Sequence, residues 1–141
     1  MASPFKTKVS MIKIMDVFFD KLKNIGYVIL KHKDEGHYLF YIGNEYIGDM
    51  FISYQKEFRQ SRRLIFRRYT TVKVYHTVEY NKDDIIDSYN IKVRDTSNRD
   101  ISEHELYVLD ELVDELGLLY RNYKKAQDKV KELKMHSDFS F

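Results

Sequence analysis

The chain has 141 residues, with 24 Lys+Arg against 22 Asp+Glu, a net charge of +2 and no cysteine. That length suits one domain. The missing cysteine excludes disulfide scaffolds, thiolate nucleophiles and Cys-bearing metal sites. No apolar run approaches the roughly 18 residues of a membrane span, and Lys6, Lys8 and Lys13 interrupt any signal-peptide core. A cytoplasmic protein without membrane contact is expected.

With 43% hydrophobic residues, one Pro and five Gly, the composition is that of a folded chain. Alanine occurs only at Ala2 and Ala126, while tyrosine occurs 12 times and phenylalanine 9. The dominance of Lys, Ile, Asn, Asp, Tyr and Phe is that of an AT-rich coding sequence, as in a low-GC bacterium or its phage. Residues 1–8 read as a loose tail.

Over 9–24, Val9, Ile12, Met15, Phe18, Phe19, Leu22 and then Ile25 recur at helical spacing. Lys21 and Lys23 suit the last turn and Gly26 the position just past it. From Tyr27 the period changes to two. Strands are predicted over 27–33, 37–43 and 46–57, joined by turns at Asp34-Glu35-Gly36 and Asn44-Glu45, with Met50, Ile52 and Tyr54 sharing a face. A further turn is expected near Gln60-Ser61. The extended run 64–80 would span about 55 Å, so a bulge or bend is expected in it. A turn at 81–84 and a fifth strand over 85–93 complete an antiparallel meander of four or five strands.

Ser102 and Glu105 have capping-box spacing, with Ile101 and Leu106 placed as a hydrophobic staple. Leu109, Leu112, Leu116, Leu119, Tyr123, Ala126, Val130 and Leu133 then follow at alternating intervals of three and four, a heptad seam. Leu106, Val113 and Tyr120 widen the apolar face in the first half only. A helix from Glu103 to Lys134 would be about 48 Å long, against a body roughly 35 Å across. The overhang and its narrow seam predict a coiled-coil-like homodimer, with Gly117 as the point where the helix could break. Residues 100–116 carry seven acids and no Lys or Arg, whereas 117–135 carry six bases against two acids, a sorting that suits either the helix dipole or an antiparallel pair.

The expected architecture is one α+β domain over 1–141. It comprises an N-terminal helix and antiparallel sheet over 9–100, a helical oligomerisation element over 101–135 and a tail at 136–141.

Segment 56–73 is the strongest functional candidate, with seven bases against Glu57 and five of the chain's eight arginines. Arg59, Arg62, Arg63, Arg67, Arg68, Tyr69, Lys73 and Tyr75 are the candidate ligand-binding residues. Arginine forks bind phosphate or carboxylate, and flat aromatics stack bases. Alternation puts Arg67, Tyr69, Thr71, Lys73 and Tyr75 on one face and Phe66, Val72, Val74 and Val78 on the other. Arg68 falls on the apolar face, so it needs an edge, a bulge or a carboxylate.

Other constellations are weaker. His32, Asp34, Glu35 and His37 gather metal-ligand types without a recognised spacing. Asp83, Asp84 and Asp87, and Asp110, Glu111, Asp114 and Glu115, are acidic clusters that read as a turn and a helix surface. Gly26-Tyr27-Val28 followed by Tyr41-Ile42-Gly43 resembles the two-strand signature of GIY-YIG nucleases. That family continues into a helix with a catalytic arginine, where this chain reads as another strand. No catalytic set, metal or cofactor is assigned. The expectation is a non-enzymatic, self-associating protein that presents a basic hairpin to nucleic acid, a nucleotide or an acidic partner. The alternatives are a phage or mobile-element inhibitor or adaptor that blocks a host protein, and a metal-dependent nuclease.

Overall fold

The computed structural model describes residues 4–33, 36–55 and 61–139, with side chains described over 13–33, 36–53, 63–102 and 104–135. The fold is α+β, as expected. Helix α1 (Pro4–Ile25) leads into β1 (Val28–Lys31), β2 (His37–Ile42), β3 (Glu45–Gln55), β4 (Ser61–Asn81) and β5 (Asp84–Ser102). A short 3-10 turn (Glu103–Glu105) precedes helix α2 (Val108–Phe139). The strands form an antiparallel meander in the order β1-β2-β3-β4-β5. Among the described residues, no helix is long and apolar enough to cross a membrane.

Helix α1 begins at Pro4, so residues 4–8 belong to it rather than to a tail. Among its described side chains, Met15, Phe18, Phe19 and Leu22 are buried, the i, i+3, i+4, i+7 stripe of an amphipathic helix. Gly26 ends it at φ +131°, and the ring of Tyr120 on α2 lies where a Cβ would stand. The core joins this stripe to the inward faces of β2, β3 and β4. Phe18 meets Phe40 and Phe66 edge-on at 6.4 and 6.3 Å, and Phe40 and Phe66 lie 5.6 Å apart. Aromatic pairs in such orientations add to the burial of their area.

Strand β5 runs on to Ser102, nine residues beyond the expected end at Val93. Its register against β4 holds from Arg63 opposite Ser102 to Asn81 opposite Asp84. The expected bend survives only as a local irregularity. Asp95 adopts φ +59°, and its carbonyl accepts a hydrogen bond from the Thr70 hydroxyl at 2.8 Å. Lys82, at φ 43°, turns the ribbon at its tip.

Helix α2 lies on the same side of the sheet as α1 and contacts α1, β4 and β5. The expected capping box is not made, since the Ser102 side chain caps no backbone N–H. The Ser102 hydroxyl donates to the Glu105 side chain at 2.7 Å, and the α-helix starts at Val108 after the 3-10 turn. Helix α2 is continuous through Gly117, which is buried with Ile25 within van der Waals reach. At the preceding residue, the Tyr27 hydroxyl donates to the Leu116 carbonyl at 2.7 Å, and burial pushes the pKa of that hydroxyl above its ordinary value.

The seam does not call for a second copy. Leu109, Leu112, Leu116, Leu119, Tyr123, Ala126 and Val130 are each at most 9% exposed within the single chain, and Leu133 is half-buried. The expected overhang fails because the sheet is not a 35 Å body. The β4–β5 ribbon lengthens it along the helix direction. Leu109 to Val130 covers about 32 Å of helix, close to the roughly 33 Å of strand between Leu64 and Val74. Val72, Ile91 and Val93 on the ribbon pack against the core under this helix.

At Gly48, β4 backbone fills the space that a side chain would need. A Cβ there would stand 2.1 Å from the Arg67 carbonyl oxygen and 2.8 Å from the Arg68 Cα, both backbone atoms that cannot swing away. Gly43 is the contrast, with φ +59° and nothing within 4 Å. Gly48→Ala is expected to lower unfolding free energy in urea by about 3 kcal/mol. Gly43→Ala should cost about 1–2 kcal/mol through its left-handed backbone alone. Equal losses in the two variants would refute the close-approach account.

Candidate nucleic-acid interface

Helices cover one face of the sheet, and the other face is open. Register alternation sends Leu39 and Tyr41 of β2, Asp49 and Phe51 of β3, and Arg63, Ile65, Arg67, Tyr69, Thr71, Lys73 and Tyr75 of β4 to that open face. From β5 come Asp100, Asn98, Thr96, Arg94, Lys92 and Asn90. The sequence-predicted basic segment therefore does reach an uncovered surface, but its arginines are not equivalent there.

Arg67 is held by Asp49. Its Nε–H donates to Asp49 Oδ1 at 2.8 Å, and Nη2 donates to Oδ2. His37 Nε2 lies 2.7 Å from the same Oδ2, and Phe51 packs 5.1 Å below the guanidinium. The Asp49 side chain is 3% exposed. Burial alone would raise its carboxyl pKa, but the hydrogen bonds and charges of Arg67 and His37 outweigh burial and leave it below the ordinary value. A buried carboxylate needs such partners.

Arg63 pairs with Asp100 at 2.5 Å. Arg68 lies on the helix side, as alternation requires, and the carboxylate it needs is Glu115 on α2. Its Nε is buried without a hydrogen-bond partner among the described residues. Arg99 repeats the pattern one turn away, with Nη2 3.8 Å from Glu111. Arg62 is described only as a β4 backbone residue opposite Tyr54, and Arg59 lies outside the described residues. The arginines that dominate the sequence signal are thus mostly neutralised in place.

The free cations sit further along the ribbon. Lys73 and Lys92 are direct cross-strand partners, and Arg94 is opposite Thr71. All three are exposed, and none has an ion-pair partner among the described residues. Arg94 and Lys92 lie over the Tyr75 ring, 4.6 and 5.2 Å from its centroid. Beside them runs an aromatic row. Tyr41 meets Tyr46 at 5.7 Å, and Tyr46 meets Tyr69 at 6.4 Å, both edge-on. A recess of about 270 Å³ is lined by Glu45, Tyr46, Tyr69, Lys92, Val93 and Arg94. A second, of about 290 Å³, opens on the other side of Tyr69 beside Asp49, Arg67, Thr96 and Asn98. Burial raises the Tyr46 pKa, with nearby Asp49 adding to it, so its hydroxyl remains a donor at neutral pH.

Tyr69, Lys73 and Tyr75 come together here as the sequence suggests. Tyr46, Lys92 and Arg94 were missed. Arg94 lies past the expected end of β5 and Tyr46 on a different hairpin, so only the sheet register could place them. The His32 and His37 rings lie 4.6 Å apart, whereas Asp34 and Glu35 lie outside the described residues. Among the described residues, no group of three or more His, Asp or Glu side chains is arranged to hold a metal ion. The segment after Ile42 is strand β3, so the helix that follows the second triplet in GIY-YIG nucleases has no counterpart. Comparison with known protein families, with curated proteins and with solved structures finds no match to this chain.

The depressed Asp49 pKa gives a pH dependence of known sign. Stability from the Asp49–Arg67–His37 cluster is present above the ordinary carboxylate value of about 4. It is lost as pH falls through the lower native value. Asp49→Asn is therefore expected to be less stable than the parent at pH 7 and to show a flatter loss of urea stability between pH 4 and pH 2. An equally steep acid limb in the variant would remove Asp49 from the account.

Proposed function

We propose that the open face of the sheet binds single-stranded nucleic acid. The observation that carries this reading is the set Lys73, Lys92 and Arg94, three exposed cations without an ion-pair partner among the described residues, on two adjacent strands beside Tyr46, Tyr69 and Tyr75. Lys73 lies opposite Lys92, with Arg94 two residues further along β5 on the same face, so the three charges are grouped where phosphates can meet them. Tyr46 and Tyr69 offer rings on which bases of any sequence can stack, while the Tyr75 ring is engaged by Arg94 and Lys92 and positions them. The recesses on either side of Tyr69 have room for planar groups. Arg63 and Arg67, already held by Asp100 and Asp49, stiffen the platform instead of carrying the ligand. No catalytic step is assigned.

The test is the salt dependence of binding to a labelled single-stranded oligonucleotide, followed by fluorescence anisotropy. Each phosphate contact contributes about 0.7 to the slope of log K against log salt. Lys73→Ala/Lys92→Ala/Arg94→Ala is expected to reduce that slope by about 2 and weaken binding at every sequence. Tyr69→Ala should cost about 1–3 kcal/mol with the slope unchanged. Binding that ignores salt, or that survives the triple alanine variant at parental affinity, refutes the assignment.

A further inference from the structure

The ion pair with Asp49 neutralises the charge of Arg67 but leaves part of its hydrogen-bonding fork free. Asp49 accepts from Nε and from Nη2. The outer end of the fork, formed by Nη1 and the second hydrogen of Nη2, has no hydrogen-bond partner among the described residues. The Arg67 side chain is half exposed, yet its plane is fixed, because Asp49 grips one edge and Phe51 lies 5.1 Å below it. An arginine held in this way meets a ligand with little further ordering to do.

Register surrounds that free end with the parts of a base site. Asp49, Arg67 and Asn98 stand in one row across β3, β4 and β5, and Tyr69 and Thr96 stand opposite each other in the next row on the same face. Residues of both rows line the recess of about 290 Å³ beside Tyr69. Thr96 and Asn98 are exposed and make no side-chain hydrogen bond among the described residues. The polar lining is therefore a fixed pair of donors, with a hydroxyl and a carboxamide beside it and a carboxylate whose oxygens are already engaged by Arg67 and His37. Such a lining selects for acceptors. Guanine carries two adjacent acceptors, O6 and N7, and they match a pair of arginine N–H groups. Adenine has an amino group in place of O6, which sets donor against donor. Cytosine and thymine have no N7 and cover less of a tyrosine ring.

We infer that this recess is a guanine-selective subsite, in which the base rests against the Tyr69 ring and accepts hydrogen bonds at O6 and N7 from the free end of Arg67. The inference rests on the single-strand reading above. The two sets of residues then act differently. Lys73, Lys92 and Arg94 hold the chain whatever its sequence, and Arg67 selects the base that settles beside it.

Anisotropy titrations of the full chain at one salt concentration test it, with thymidine oligonucleotides carrying a single central deoxyguanosine, deoxyadenosine, deoxycytidine or no replacement. The deoxyguanosine strand is expected to bind about tenfold tighter than the others, as one bidentate pair gives. Placing 7-deazaguanine at that position removes N7 and should erase the preference. Hypoxanthine keeps O6 and N7, lacks only the 2-amino group, and should retain it. Both arms use the parental protein, so neither depends on a variant folding. Arg67→Lys keeps a positive charge beside Asp49 but loses the fork. It should bind every strand with the parental salt slope and without preference. Equal binding of all strands, with the slope expected of phosphate contacts, overturns the guanine subsite and leaves the single-strand reading standing. A preference that survives 7-deazaguanine or Arg67→Lys also overturns the subsite. Absence of salt-dependent binding to any strand removes both.

Discussion

The packing of α2 along the β4–β5 ribbon is the interaction on which the rest of the molecule depends. The ribbon is much longer than the strands beside it, since β3 pairs with β4 only from Ser61 to Arg68. Beyond that point β4 has β5 as its one strand partner, and a two-stranded ribbon has little stability of its own in water. Helix α2 supplies the missing layer. Its stripe is buried from Leu109 to Val130, and Glu111 and Glu115 receive the two arginines, Arg99 and Arg68, that the register turns toward it. With that face closed, the other face is free to carry polar and aromatic groups, and the tip is left uncovered.

Position in the sheet also sorts the cations. Where the ribbon is flanked by β3 or by α2, each described arginine of β4 meets an acid: Arg63 meets Asp100, Arg67 meets Asp49 and Arg68 meets Glu115. Where β3 no longer reaches, Lys73, Lys92 and Arg94 meet none among the described residues. Packing density sets this division. Beside neighbouring elements a charge is partly desolvated and must be paired. On a thin ribbon with one wet face, water serves it as well.

Much of this architecture could be read from the residues, because local periodicity is a local property. The helical stripe of α1, the change to period two at Tyr27 and the heptad run of α2 all follow from spacing. Alternation alone separates Arg67 from Arg68 and asks an edge, a bulge or a carboxylate of the latter, of which the structure supplies the carboxylate. What failed was what depends on distant partners. The stretch from Arg94 to Asp100 has few β-branched or aromatic residues and reads as loop, yet it is strand because β4 offers it a complete ladder. The seam was assigned to a second copy because heptad spacing suits a helix on a ribbon as well as a helix on a helix. Only the length of β5 shows that the chain has enough surface of its own. Asp49 gave no sign of its role, since nothing around it in sequence announces a buried carboxylate.

The cross-strand pair Lys73 and Lys92 is the point at which the sequence works against its own fold. Like charges directly opposite in an antiparallel ladder destabilise it, by an amount comparable to the roughly 0.2–1 kcal/mol that a good pair contributes. Arg94 adds a third positive charge next to them, and the nearest acid lining that recess, Glu45, pairs with none of them. Threonine at either lysine position would suit a ribbon better. Every other inward or crowded charge described on β4 has its counter-ion, so the chain satisfies charges wherever folding demands it. Local conflicts of this kind concentrate where a surface is shaped for a ligand rather than for the fold. The cost falls on the stretch of ribbon that α2 backs on the opposite face, where the helix can hold the strands together against it.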